Sequence, residues 1–136
     1  MSSLRPILIE GFTSEEILAF PDDYVDGNVL TGQPVVFRAG SARILGTFRR
    51  TPSRITVELA QIDGGGEGVL PTLWLLAERY AKRRGFAEVE WIVHAVSCAR
   101  PNLKLRRVLE RRGFQIRTLD GVSKVYYRLR EYDRTA

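Results

Sequence analysis

The sequence predicts a single α+β domain over residues 1–136, with a mixed sheet of about six to seven strands. Short β-rich segments with alternating apolar side chains surround two longer segments whose apolar residues recur at helical spacing. Both helical segments end in the string RRGF, at 83–86 and 111–114, where the glycine can cap a helix before the next strand. A length of 136 residues suits one hydrophobic core.

The first half of the chain predicts a strand, a short helix and a three-stranded meander. Residues 6–12 (PILIEGF) form the strand, and Thr13 or Ser14 caps a helix that Pro21 ends. The Pro, Gly, Asp and Asn content of 21–33 predicts a loop. The meander of antiparallel strands then covers 34–39, 42–50 and 54–62.

The second half of the chain predicts two helices that alternate with strands. One helix covers 69–84, with cations in its last turn, and leads into a strand over 88–95. A second helix covers 102–112, and the final strands cover 115–119 and 124–130. The unit of strand, helix and strand in the middle implies one parallel pair inside a mostly antiparallel sheet.

The composition limits the classes of function. The single cysteine, Cys98, excludes an internal disulfide and favours a cytoplasmic protein. One cysteine and one histidine, His94, are too few ligands for a structural zinc site. No apolar run approaches the roughly 18 residues of a membrane span. Residues 1–68 carry 6 cationic and 9 acidic side chains, whereas residues 69–136 carry 15 and 7. A basic second half favours nucleic acid, an acidic protein or a phosphorylated cofactor, unless it is only a solvated surface.

Four glycines fall within five positions of the segment 61–74 (QIDGGGEGVLPTLW), directly before the first long helix. The first N–H groups of a helix have no internal acceptor, and the helix dipole adds partial positive charge there. Glycines let a phosphate approach this backbone closely. The segment therefore predicts a phosphate site, although a flexible connection between strand and helix would also explain the glycines. The patterns of Rossmann and P-loop nucleotide sites are not met.

The order of the elements and two motifs resemble the Gcn5-related N-acetyltransferase (GNAT) family. The family's loop Q/R-x-x-G-x-G/A, between its fourth strand and third helix, is matched in letters by 61–66. Residues 63–68 fit the distance to the helix better and are the preferred register. The family's pattern N-x-x-A-x-x-x-Y, followed by G-F eleven residues after the Asn, is matched at Asn102, Gly113 and Phe114.

This resemblance implies an acyl-CoA-binding core that corresponds to the family's fourth strand, third helix, fifth strand and fourth helix. In this chain these are the predicted strand at 54–62, helix at 69–84, strand at 88–95 and helix at 102–112. It implies acetyl-CoA, or another acyl-CoA, as cofactor. The diphosphate would be held by backbone amides of 66–70, and a backbone N–H near the end of the fourth strand would meet the thioester carbonyl. The residues that this assigns to cofactor binding are Gln61, Ile62, Asp63, Gly64, Gly65, Gly66, Glu67, Gly68, Val69, Leu70 and Asn102.

The catalytic residues expected from the resemblance are Glu58 and His94. Glu58 is the first candidate for the base because the family often places a carboxylate in this region, and His94 has a side chain suited to proton transfer near neutral pH. Each also has a structural interpretation, as an ion-paired strand residue and as a hydrogen-bonded histidine. Leu109 stands at the position of the tyrosine that usually serves as acid, and Tyr126, Tyr127 or Cys98 could serve as the acid in its place.

The function that follows is an acyl-CoA-dependent N-acyltransferase that acts by direct transfer on an unidentified amine of a small molecule or protein. The alternative is a catalytically inactive GNAT-like binding module that contacts a protein or nucleic acid through its basic half. A third interpretation is an unrelated α+β domain that binds nucleic acid. Nucleic acid is the less favoured partner, no metal or membrane contact is expected, and a homodimer is left open.

Overall fold

The fold is one six-stranded sheet and four helices, in a computed structural model that describes residues 7–65, 68–95, 103–119, 121 and 123–132. In chain order the elements are α1 (Ser14–Leu18), α2 (Asp22–Asn28), β1 (Pro34–Ala39), β2 (Ala42–Arg50), β3 (Arg54–Asp63), α3 (Val69–Arg84), β4 (Glu88–Val93), α4 (Leu103–Arg111), β5 (Gln115–Leu119) and β6 (Ser123–Glu131). Across these described residues, no helix has the length and apolar character needed to cross a bilayer.

The strands follow the order β1-β2-β3-β4-β6-β5 across the sheet. Only the central pair, β3 and β4, is parallel among the pairs formed by the described strands, and α3 is the crossover that connects it. The predicted α+β class, the mixed sheet and its single parallel pair are therefore confirmed.

The helices pack against one face of the sheet. Trp74 of α3 stacks on Trp91 of β4 with 5.1 Å between ring centroids, and Glu110 of α4 accepts a hydrogen bond from Tyr126 of β6 at 2.9 Å. The strand register places Val57, Trp91 and the residues paired with them on this face, which we call the helix face. The opposite face, called the open face, carries Glu58 and its cross-strand neighbours.

The predicted strand at 6–12 is wrong in its described part, because the chain reverses there. Ile9 and Phe12 exchange backbone hydrogen bonds of 2.8 and 2.9 Å, and Ile9 forms only an isolated bridge to Ala39. Glu10 and Gly11 between them have φ values of 50° and 81°. These left-handed conformations close a tight turn and cannot continue a strand.

The predicted loop at 21–33 is also wrong in part, because it contains α2. Asp22 and Asp23 lie in the first turn of this helix, where the dipole favours anions. Asp26 accepts from Arg84 of α3 at 2.6 Å, and Asp22 accepts from Arg83 at 2.9 Å. Contacts with a distant helix thus stabilise a segment whose local composition is typical of a loop.

Gly64 must be a glycine for two separate reasons. Its φ is +80°, and a Cβ built on it would lie 2.8 Å from the carbonyl oxygen of Ser41. Gly85, at the end of α3, has a φ of +81° but no atom within 4 Å of its Cβ position. A comparison of Gly64 with Gly85 therefore separates the effect of the left-handed backbone from the effect of the close approach to Ser41.

We expect Gly64→Ala to lower the free energy of unfolding by more than Gly85→Ala does. Both substitutions incur about 1–2 kcal/mol for the left-handed conformation, and only the first adds a clash with rigid backbone. Urea unfolding of the two variants measures the difference. Equal losses would contradict the close approach of Gly64 to Ser41.

Candidate functional site

Strands β3 and β4 stop pairing before β3 ends. Their last paired residues are Leu59 and Val93, and the N–H of His94 still donates to the Leu59 carbonyl at 2.9 Å. β3 continues to Asp63 against β2, whereas the N–H of Ala95 bonds back to the Val93 carbonyl at 3.0 Å and turns the chain away. Within the described ranges, the edge of β3 beyond Leu59 therefore has no partner strand on this side, and its backbone groups can meet a ligand.

A cavity of about 170 Å³ lies beside this gap, on the helix face. We call it the glycine-loop cavity. Its walls come from the end of β3, the loop that follows, and the first turns of α3 and α4: Ile62, Gly64, Gly65, Gly68, Val69, Leu70, Leu73, Lys104, Leu105 and Val108. Lys104 is the only charged side chain among these described residues, so the cavity combines apolar walls with one cation.

Two further glycines of the loop also have left-handed backbone. Gly65 has a φ of 88°, and Gly68, the residue before α3, has a φ of 92°. A Cβ on Gly68 would meet only Ile7 Cδ1, at 3.8 Å. Backbone conformation, rather than crowding by neighbouring atoms, is therefore what requires a glycine at position 68.

The first turn of α3 supplies backbone donors at the wall of this cavity. The first internal hydrogen bond of the helix runs from the N–H of Thr72 to the Gly68 carbonyl, at 3.1 Å. Pro71 has no N–H, and the N–H groups of Val69 and Leu70 precede the first internal bond. These two donors thus have no acceptor inside the helix and lie where the dipole is most positive.

The predicted cofactor residues divide into three groups. Ile62, Gly64, Gly65, Gly68, Val69 and Leu70 line the glycine-loop cavity. Gln61 and Asp63, the first residues of the two loop registers, do not; they are exposed, and the Gln61 amide donates to the Asp63 carboxylate at 2.9 Å. The carboxylate of Asp63 is thus held away from the cavity. Gly66, Glu67 and Asn102 lie outside the described residues.

The two predicted catalytic residues contact each other on the open face, at the same gap. His94 Nε2 lies 2.8 Å from Glu58 Oε2, and Arg49 Nη1 donates to Glu58 Oε1 at 2.9 Å. The side chains of Glu58 and His94 are 23% and 29% exposed, so a solvent-borne ligand can reach both. The structure thus brings together two residues that lie 36 positions apart in the chain.

Glu58 is held in its ionised form. Partial burial acts to raise its pKa, but hydrogen bonds from His94 and Arg49 outweigh that effect and hold the pKa below its ordinary value of 4.5. An ionised carboxylate can only accept hydrogen bonds, so the proton between the two residues belongs to His94 Nε2. In the neutral imidazole this leaves Nδ1 as the nitrogen that can take up a proton.

A second polar cluster fixes the open face next to this pair. Glu90 of β4 accepts hydrogen bonds from the Thr56 hydroxyl at 3.0 Å and the Tyr127 hydroxyl at 2.6 Å, and Arg54 lies 3.4 Å away. Burial and then the bond to Glu90 raise the pKa of Tyr127. Thr56 and Glu58 are on the same face of β3, so this cluster restrains the strand that carries Glu58.

The proposed substitutes for the missing tyrosine are already engaged. Leu109, at that position, is fully buried in the core. The hydroxyls of Tyr126 and Tyr127 donate to the carboxylates of Glu110 and Glu90. Burial and then the bond to Glu110 raise the pKa of Tyr126, so its hydroxyl keeps its proton at neutral pH. Cys98 lies outside the described residues.

Two site residues, Lys104 and Arg49, were not predicted from the sequence. Lys104 lies in the first turn of α4, within two residues of the Asn102 motif, so its position could have suggested it. Arg49 pairs across the sheet with Thr56 yet binds Glu58, a diagonal contact that depends on strand register. The register between β2 and β3 is not readable from local patterning.

A second cavity, of about 380 Å³, lies between the helix face and the segment of α1 and α2. We call it the core cavity. Its walls are mostly apolar and include Leu59 of β3, Trp91 of β4 and Ala77 of α3. Leu73 lines both this cavity and the glycine-loop cavity, so the two are neighbours along α3.

The ionised Glu58 predicts a pH-dependent contribution to stability. Because its folded pKa is lowered, this contribution is fully present above its ordinary pKa of 4.5 and is lost as the pH falls through the folded value. We expect the stability difference between the wild type and Glu58→Gln to be largest near neutral pH and to shrink on acidification. Thermal unfolding between about pH 3 and pH 7 measures it, and a difference independent of pH would contradict the ion pair.

No protein-family model matches the chain, and no curated protein matches it by sequence. Solved acetyltransferases are similar to it. The PaiA N-acetyltransferase of Thermoplasma acidophilum, in complex with coenzyme A, is 15% identical over 94% of this chain and 100% of that one, with a TM-score of 0.48. Naa50 of Arabidopsis thaliana, in complex with the bisubstrate analogue CoA-Ac-MVNAL, is 11% identical over 94% and 100%, with a TM-score of 0.48. A GNAT-family acetyltransferase of Listeria monocytogenes is 16% identical over 85% and 75%, with a TM-score of 0.41.

At this level of similarity, the chain's own strand order and contacts define its fold. Two short helices precede three antiparallel strands, and a parallel pair bridged by α3 is followed by α4 and a final hairpin. Among the described residues, this is the order of elements that the resemblance implies, with the predicted first strand reduced to the isolated bridge of Ile9 to Ala39. The chain has a GNAT-type fold.

Proposed function

We propose that the chain is an acyl-CoA-dependent N-acyltransferase that passes an acyl group directly to an amine. One observation carries the proposal: the glycine-loop cavity and the Glu58–His94 pair lie on opposite faces of the sheet at the same gap. An acyl donor would enter from the helix face and an amine from the open face. The two would meet where β3 and β4 separate.

The residues of the glycine-loop cavity fit a CoA thioester. The backbone N–H groups of Val69 and Leu70, with the dipole of α3, favour a diphosphate, and Lys104 adds a positive charge. The apolar walls suit the pantetheine arm. The edge of β3 beyond Leu59, which no described strand pairs with on this side, supports this fit, because an extended chain with amide groups can pair with it as a strand would.

The Glu58–His94 pair supports base catalysis. In the proposed reaction, the amine nitrogen bonds to the thioester carbonyl carbon, the C–S bond breaks, and CoA leaves with the sulfur. His94 Nδ1 takes the proton from the amine, and the carboxylate of Glu58 stabilises the imidazolium that results. In this assignment His94, rather than Glu58, is the base, and Glu58 is a positioning residue.

The replacement of the usual tyrosine by Leu109 is compatible with this proposal. A free thiol has a pKa of about 8.5, so the departing thiolate is stable near neutral pH and can take a proton from water. Acid catalysis by a side chain would add to the rate but is not required for the C–S bond to break.

We expect CoA to raise the melting temperature of the wild type and to bind Lys104→Ala about fivefold to tenfold more weakly, because one charge-assisted contact is lost. Arg107→Ala is the matched control: it removes the same charge from α4 at an exposed position that does not line the cavity. Isothermal titration with CoA measures both. Equal weakening in the two variants would indicate a diffuse charge effect and would contradict the assigned site.

We expect His94→Ala to lower kcat/KM by about 10²–10³-fold while leaving CoA affinity unchanged, because the base is lost and the donor site is not. The assay follows CoA thiol released from acetyl-CoA in the presence of a lysine peptide, a peptide with a free N-terminus or a polyamine. Equal turnover by the wild type and His94→Ala would contradict the assigned base. CoA binding without turnover of any amine would instead favour the inactive binding module.

A further inference from the structure

The core cavity opens to solvent at one side, where the exposed side chains of Phe12, Tyr24 and Val36 line it. An engineered apolar cavity of about 150 Å³ is enough to hold benzene, and the core cavity measures about 380 Å³. Val57, Leu59 and Trp91 form its floor on the sheet, and Leu76 and Ala77 line it from α3. An apolar ligand of moderate size therefore fits it better than a charged one.

The core cavity continues from the proposed donor site. Leu73 contributes to the walls of both cavities, so the two adjoin at this side chain. Leu59 contributes to the core cavity and is also the last residue of β3 that pairs with β4. A group attached to a thioester at the gap would thus begin where the core cavity begins.

The position of the acid–base pair decides which substrate this cavity can serve. Glu58 and His94 lie on the open face, so an amine that His94 deprotonates approaches from that side. The core cavity lies on the helix face, together with the glycine-loop cavity. Its occupant therefore arrives with the acyl donor and not with the amine.

We infer that the core cavity receives the acyl chain of the donor, and that the preferred donor carries an aliphatic chain of about eight carbons rather than an acetyl group. The inference rests on the proposed function, because it names the donor of that same site. The chain passes Leu73 and lies between α3 and the strands, along the apolar walls formed by Val57, Leu59 and Ala77.

Calorimetric titration of the full chain with CoA, acetyl-CoA and octanoyl-CoA tests this inference. We expect octanoyl-CoA to bind at least about tenfold more tightly than acetyl-CoA, because its added methylenes leave water. Ala77→Phe places a ring inside the core cavity and should bring octanoyl-CoA down to the affinity of acetyl-CoA. Acetyl-CoA binding should be unchanged and reports that the variant is folded.

Leu75→Phe is the control, because it introduces the same ring on α3 at a side chain that is 53% exposed and lines neither cavity. It should keep the preference for octanoyl-CoA. Ala77→Leu, with a smaller added volume, replaces Ala77→Phe if that variant does not fold, and should reduce the preference in part.

Three outcomes would overturn the inference. Equal wild-type affinities for acetyl-CoA and octanoyl-CoA would do so while leaving the proposed function intact. A preference for octanoyl-CoA that survives both Ala77 variants would show that the chain lies elsewhere. If sodium octanoate stabilises the wild type but no CoA species binds, the cavity takes an apolar ligand that is not a donor, and the proposed function fails as well.

Discussion

Two parallel strands can share hydrogen bonds only while both remain extended, and in this fold one of them stops early. β4 ends at Val93 and turns away at Ala95, whereas β3 continues to Asp63 with β2 as its only described partner. This mismatch opens the sheet at the carboxyl ends of its central strands, where ligands of open α/β sheets commonly bind. The glycine loop and α3 must start at that same end, because α3 is the crossover between the two strands. The position of the cavity therefore follows from topology.

The gap also explains why residues on the two faces can act together. Side chains of β3 alternate between faces, so Leu59 faces the helices while Glu58 faces solvent, one position apart. His94 is the first residue after the pairing ends, and its N–H still reaches the Leu59 carbonyl. The residue is thus held at its backbone by Leu59 and at its ring by Glu58. Arg106 of α4 donates to the Ala95 carbonyl at 2.8 Å and ties the end of this turn to α4.

Local signals in the sequence predicted the elements that local interactions stabilise. The capping box at Thr13 and Glu16, the glycine that ends α3 and the alternation in β3 are each visible within a few residues. α2 could not be predicted this way, because its contacts are with distant parts of the chain: ion pairs with α3 about sixty residues away, and the core in which Val25 is buried. The resemblance to a known family placed Glu58 and His94 in one region, but their contact depends on the parallel register of β3 and β4. The glycine motif indicated where the glycine-loop cavity lies. Whether Gln61 and Asp63 line that cavity depends on the face of the sheet that each side chain takes, which the motif does not indicate.

The acidic first half of the chain and the basic second half form ion pairs with each other inside the fold. Acidic residues of α1 and α2 meet cations of α3, with Glu15 bound to Arg79 at 2.6 Å and Asp26 bound to Arg84 at 2.6 Å. Part of the excess base in the second half is thereby neutralised internally and is not offered to a polyanion. The pair of Glu15 and Arg79 is more exposed than that of Asp26 and Arg84, so dissolved salt screens it more strongly. Ionic strength therefore acts more strongly on the contact between α1 and α3 than on the contact between α2 and α3, and a saline medium would weaken the attachment of α1 first.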